Sequence, residues 1–158
     1  MKKLTLLLFP LLIVFIFISC NKSIVFDKKV EFQNANWSFE EKAVNFEVTL
    51  EGSENPYAVV LELELTEPLN FDMFDAAFTI VTPLGGRQSR HIVFNFVNPK
   101  EPFIQGASPN EKILRLTVYP KRYFSETGTY SFEVNQFSEK ADNYGIRTLR
   151  LYIERIKN

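Results

Sequence analysis

Cysteine is almost missing from this chain: Cys20 is the only one in 158 residues. A single thiol forms no internal disulfide, so a stapled scaffold is excluded, and Cys20 stays free, pairs outside the chain or is modified. Histidine is as scarce, with His91 alone. A zinc centre takes about four Cys, His or carboxylate ligands, so no metal or cofactor is expected. An excess of basic charge is lacking too, with 18 Lys and Arg against 19 Asp and Glu. No basic stripe stands out, and the footprint of a nucleic-acid binder is missing. No apolar run reaches the ~20 residues of a spanning helix. Repeats, low-complexity tracts and a Ser/Gly/Pro-rich linker are also absent.

What is present starts at the N-terminus. Lys2 and Lys3 precede an uncharged run from Leu4 to Ile18, broken only by Thr5 and Pro10. A basic start, a short apolar core and a small residue before the cut describe a secretory signal peptide. The small residue is Ser19, and Cys20 follows it. Phe17-Ile18-Ser19-Cys20 resembles the lipobox of bacterial lipoproteins, with Phe17 where Leu is usual. That resemblance implies cleavage before Cys20, diacylation of its thiol and acylation of the new N-terminus. Two or more acyl chains anchor stably where one is marginal. Residues 1–19 are therefore read as signal peptide, 20–23 as a lipid-anchored tether and 24–158 as one domain. Without Lys2 and Lys3 the mature chain is mildly acidic, and its length fits one domain.

Period-two alternation dominates the mature chain. Val44, Phe46, Val48 and Leu50 alternate with polar neighbours, as do Val59, Leu61, Leu63 and Leu65. Further runs hold Ile92, Phe94 and Phe96; Leu114, Leu116 and Val118; Tyr130, Phe132 and Val134; and Leu149, Leu151 and Ile153. Weaker runs cover Ile24 to Phe32 and Ala77 to Val81. Each buries one face of a strand and leaves the other wet, as in antiparallel sheets. Gly52 to Pro56, Pro83 to Gly86, Asn98-Pro99 and Asp142 to Gly145 carry turn chemistry. About eight strands at short spacing predict an all-β antiparallel sandwich, Ig-like or jelly-roll in type. Trp37 to Lys42 and Pro120 to Phe124 are each expected to form one helical turn. Glu126-Thr127-Gly128-Thr129-Tyr130 resembles a tyrosine corner, in which a Tyr opening a late strand bonds back across the preceding loop; a plain Gly turn before a core Tyr fits equally.

Catalytic groupings are sparse. His91 stands beside Arg90 with no nucleophile in an elbow context, and a base needs an orienting partner and a nucleophile in reach. Glu62 and Glu64 share one strand face, read as solvent-facing. Asp72 and Asp75 flank Met73 and Phe74 in a loop whose oxygens suit calcium in kind but lack the familiar spacing and Gly. Trp37, with Phe39 nearby, reads as core or staple rather than a sugar platform. No catalytic residue is assigned.

Landmarks along the mature chain fall in a recognisable order: Val25-Phe26-Asp27; Trp37 ahead of Val44-Asn45-Phe46; Tyr57 leading a long strand; Pro68-Leu69-Asn70-Phe71; Phe78 to Gly86; Gly128 to Phe132 with Gln136; and Gly145 to Glu154. This order resembles the GldH gliding-motility lipoproteins of Bacteroidota. Glu67-Pro68-Leu69-Asn70 and Phe103-Ile104-Gln105-Gly106 depart from the family's pattern. The resemblance implies a non-enzymatic, membrane-anchored accessory of gliding motility or type IX secretion, in contact with other envelope proteins. Asn21 is not the Asp that retains some lipoproteins in the inner membrane, and Lys22-Ser23-Ile24 lacks an acidic export cluster. An outer-membrane, periplasm-facing position is expected. The alternative is a glycan-binding surface module with exposed Tyr57, Tyr123 and Tyr144. A hydrolase would require Glu62, Glu64, Asp72 and Asp75 to face one another in a pocket.

Overall fold

The computed structural model describes residues 23–97, 99, 103–106 and 111–156. The leader, Cys20 and most of the tether lie outside the described residues. All eight alternating runs form strands, and a ninth, very short one is added: β1 (Ile24–Glu31), β2 (Ala43–Leu50), β3 (Pro56–Thr66), β4 (Met73–Val81), β5 (Arg87–Asn95), β6 (Ile104–Gln105), β7 (Glu111–Tyr123), β8 (Gly128–Gln136) and β9 (Ile146–Arg155). They build two sheets, ordered β1-β9-β3-β7-β6 and β2-β8-β4-β5. Every pairing is antiparallel. The pairs β1/β9, β2/β8, β3/β7 and β4/β5 nest inside one another, so the chain is a long hairpin rolled across two sheets. That nesting is the jelly roll.

The alternation explains which face each strand buries. In β2, Val44, Phe46, Val48 and Leu50 are buried while Asn45, Glu47 and Thr49 face out. Facing them across the sandwich are Leu61, Leu63, Leu149 and Leu151 from the other sheet, all buried. Each such side chain contributes ~1.5–3 kcal/mol by leaving water. Phe124 makes edge contacts with Tyr130 at 5.0 Å and Phe132 at 6.0 Å.

Two short segments were expected to be helical, and one is. Phe39–Glu41 forms a single 3-10 turn, but Pro120 to Tyr123 continue β7. The pairing steps from Val59↔Tyr119 to Tyr57↔Arg122, so Pro120 and Lys121 bulge opposite Ala58. A bulge on a strand with little cover is where a residue without N–H is tolerated, and β6 covers β7 only at Lys112 and Ile113.

The tyrosine corner is present. The Tyr130 hydroxyl donates to the Glu126 carbonyl at 2.9 Å and accepts from the Glu126 N–H at 3.1 Å. Burial pushes its phenol pKa up. Gly128 sits between them at φ +139, where a Cβ would come within 2.9 Å of Pro83. Tyr130→Phe removes the partner of both Glu126 backbone groups and is expected to cost about 1–2 kcal/mol; urea unfolding should show a lower midpoint at unchanged m.

Candidate interaction surfaces

Outside the core, the five-stranded sheet carries a row of alternating charge. Asp27 on β1 binds Arg150 on β9 through two hydrogen bonds, at 2.7 and 2.6 Å. Arg150 also binds Glu62 on β3 at 2.7 Å, and Glu62 accepts two bonds from Arg115 on β7, at 2.9 and 2.7 Å. Arg150, Glu62 and Arg115 are direct cross-strand partners. The Glu62 side chain is only 6% exposed, which corrects the expectation of a solvent-facing Glu62. The two arginines cover it, and both also lie over the Tyr152 ring, at 5.9 and 5.1 Å. Glu64 joins Lys29 at 3.6 Å and Arg147 at 3.6 Å. A depression of about 280 Å³ lies over Asp27, Lys29, Glu62, Glu64 and Arg150, three acids against two bases that are largely paired with one another.

The sandwich has two unlike ends. At the N-terminal end lie Ser23, the start of β3, the end of β7 and the β4–β5 hairpin, since Ser23 accepts from Arg155 N–H and Leu84 N–H donates to Glu126. At the far end the segment from Gln33 to Glu41 packs on the loop between β8 and β9. Trp37 is fully buried there, stacked on Phe32 at 4.8 Å and tilted on Phe74 at 5.0 Å, with its Nε1–H donating to the Glu41 carbonyl at 2.7 Å. The core role expected of Trp37 holds. Beside it, the buried Gln136 amide donates to the Ser38 carbonyl at 2.8 Å, and the buried Asn143 amide donates to the Trp37 carbonyl at 2.8 Å. Sequence reasoning treated Asn143 as one more turn residue; nothing in a turn tetrapeptide tells which amide is buried.

Also toward the far end, the outer face of the four-stranded sheet carries exposed apolar side chains. Met73 is 57% and Phe137 52% exposed, and Val93 and Val97 are exposed with them. His91 lies among them, its Nε2 3.0 Å from Asp75 and its ring 6.4 Å from that of Phe137. Asp75 pairs with Val93, and the Phe137 N–H donates to the Asp75 carbonyl, so the patch is contiguous. A groove of about 650 Å³ runs along the neighbouring edge between β5 and β7, over Ile92, Phe94, Leu114 and Val118. Arg90 crosses it, donating to the Val118 carbonyl, with its guanidinium 4.8 Å from the Tyr119 ring centre.

The other residues singled out in the sequence do not converge. Glu62 and Glu64 lie on the outer face of one sheet and Asp75 on the outer face of the other, so the four carboxylates do not face across a pocket. Tyr57 is buried against Phe124 at 5.6 Å, which corrects its expected exposure in a glycan platform. Tyr123 and Tyr144 are exposed at opposite ends, beside Pro56 and Asn36. Among the described residues no group of His, Cys, Asp or Glu is arranged to hold a metal ion.

Fold and surfaces together define a jelly-roll sandwich with one ion-paired outer face and one bearing an apolar patch. The chain belongs to the GldH lipoprotein family, matching it over residues 24–153. Membership carries with it attachment to a membrane through lipid. A comparison with curated proteins returns no match. Trp37, Gln136 and Gly145, landmarks of the resemblance, all serve the far-end closure, Gly145 through φ +97 and an N–H bond to Ala35.

Removing both Arg115 and Arg150 as alanines takes away the charged hydrogen bonds to Glu62 and, because these side chains cover it, opens the carboxylate to water in the same step. The pair is expected to cost about 1.5–3 kcal/mol, less than a carboxylate left buried and unpaired, and calorimetry reads it. The hydrogen bond from Arg150 holds the Asp27 carboxyl below its ordinary 3.8, against the opposing effect of burial. The stabilisation it gives is present above that ordinary value and is lost as pH falls through the lowered one. Asp27→Asn should therefore lower stability at neutral pH and flatten the acid limb of the stability curve below about pH 4.

Proposed function

We propose that this protein is a non-enzymatic, lipid-anchored accessory of the gliding-motility or type IX secretion machinery, held in the envelope by acylated Cys20 and contacting other envelope proteins. The observation that carries the reading is family membership from Ile24 onward, immediately behind a basic-apolar leader that ends in Ser19-Cys20. Outer-membrane placement facing the periplasm rests on Asn21 and on the missing acidic cluster after Cys20. The contact surface is assigned to the patch of Met73, Val93 and Phe137. Contiguous apolar patches mark interaction sites, and here the His91–Asp75 pair lies within the patch and offers it a polar handle.

Crosslinked pull-down of the tagged protein from native envelopes tests this. Gliding or secretion components should be recovered with the wild type, lost with Cys20→Ala and depleted with the pair Met73→Ser and Phe137→Ser. Glycan or capsule material in place of any specific protein would sink the reading.

A further inference from the structure

We propose that the N-terminal end of the sandwich is a membrane-contacting face, with Leu84 and Tyr123 inserted into the lipid interface. The proposal rests on the assignment of Cys20 as the acylated residue. Ser23 begins the described chain at this end, and the steps from Cys20 to Ser23 span at most about 11 Å even when fully extended. The lipid therefore holds this end, and not the other, at the bilayer. The opposite end lies away by the length of β3, roughly 33 Å at the usual rise per residue.

The same end carries apolar side chains that the fold does not use. Leu84 tips the β4–β5 hairpin and is 85% exposed. Its tip is fixed: Thr82 N–H donates to Gly86 at 2.8 Å, Gly85 N–H donates to Thr82 at 2.9 Å, and Gly85 takes φ +85. Leu84 N–H is held by the Glu126 carboxylate at 3.1 Å, so the side chain is presented from a braced turn. Tyr123 ends β7 and is 51% exposed, with the Lys121 ammonium 5.6 Å from its ring centre. A Tyr with an adjacent Lys suits the boundary between headgroups and acyl chains. Ile24 and Val25, exposed at the start of β1, lie nearest the anchor. An isolated exposed leucine needs no explanation; four apolar side chains at the end fixed to the lipid do.

Charge is not what selects this face. Lys121, Arg122 and Arg155 share it with Glu51, Glu54 and Glu126, so attraction to anionic headgroups is largely cancelled. The contact is apolar insertion, and it should be insensitive to salt and to the share of anionic lipid, unlike a polybasic attachment.

The test uses the mature lipidated protein in vesicles of phosphatidylethanolamine and phosphatidylglycerol containing nitroxide-labelled lipid. With Cys20 acylated, the chain has no other thiol, so a cysteine at Leu84→Cys, Tyr123→Cys or Tyr144→Cys takes a polarity-sensitive dye alone. The expected result is a blue-shifted, strongly quenched dye at the first two positions, an unshifted one at the third, and no change on adding salt. Leu84→Asp should reduce the quenching at Tyr123→Cys. Protein that floats with the vesicles but is quenched equally at all three sites, or at none, overturns the membrane face and leaves the anchor standing. Protein that does not float at all overturns both.

Discussion

Glu62 is the constraint around which the larger sheet is arranged. A carboxylate removed from water is costly unless it is paired and hydrogen-bonded, and here two arginines from the strands on either side do both. The row Asp27, Arg150, Glu62, Arg115 runs through β1, β9, β3 and β7 in their spatial order. A shift of one residue in any of these strands turns its side chains to the opposite face. It would strand Glu62 and expose the leucines on the other side. Hydrophobic burial supplies most of the driving force, but apolar side chains tolerate neighbours of similar size. The charge row is specific about register in a way that Leu61 against Leu151 is not.

Register in turn fixes what happens at the ends. With β3 held between β9 and β7, its start meets Tyr123 and its end meets the turn at Gly145. The far end is closed by Trp37, Gln136 and Asn143, a knot in which buried amides take up carbonyls of the 33–41 segment. Such a knot is stable only when every member is satisfied, and here the Asn143 side-chain oxygen, Oδ1, also accepts from the Ser138 hydroxyl at 2.6 Å. The near end is instead held, among the described residues, by several short loops braced on one another, with Gly52 N–H on Thr127 and Ser53 N–H on Phe124. A closed, partly apolar end and a braced end next to the anchor give the domain a direction.

Legibility of the chain followed the range of the interaction. Alternation is local, and all eight runs it marked are strands. The tyrosine corner was visible because Tyr130 and Glu126 are close in sequence, although the pattern alone did not separate it from a plain Gly turn. The helical turn expected over Pro120 to Phe124 is strand because a bulge opposite Ala58 accommodates the proline, and a bulge depends on a partner strand that the local sequence does not show. Glu62 was read as wet because its neighbours alternate as in any half-exposed strand; its arginines come from 53 and 88 residues away. The patch of Met73, Val93 and Phe137 was not legible at all, since it joins residues from three separated segments.

The sequence by itself determined the class of the fold, the inward face of the six strands with clear alternation and the one cysteine available for lipid. These depend on residue type and on spacing within a single strand or leader. Tertiary structure alone decided the nesting of β1/β9, β2/β8, β3/β7 and β4/β5, the burial of Glu62 and the convergence of exposed apolar residues at the two ends. Those outcomes depend on which distant strands become neighbours. Alternation is the same for every strand, so it states what each strand must bury and leaves open against which partner.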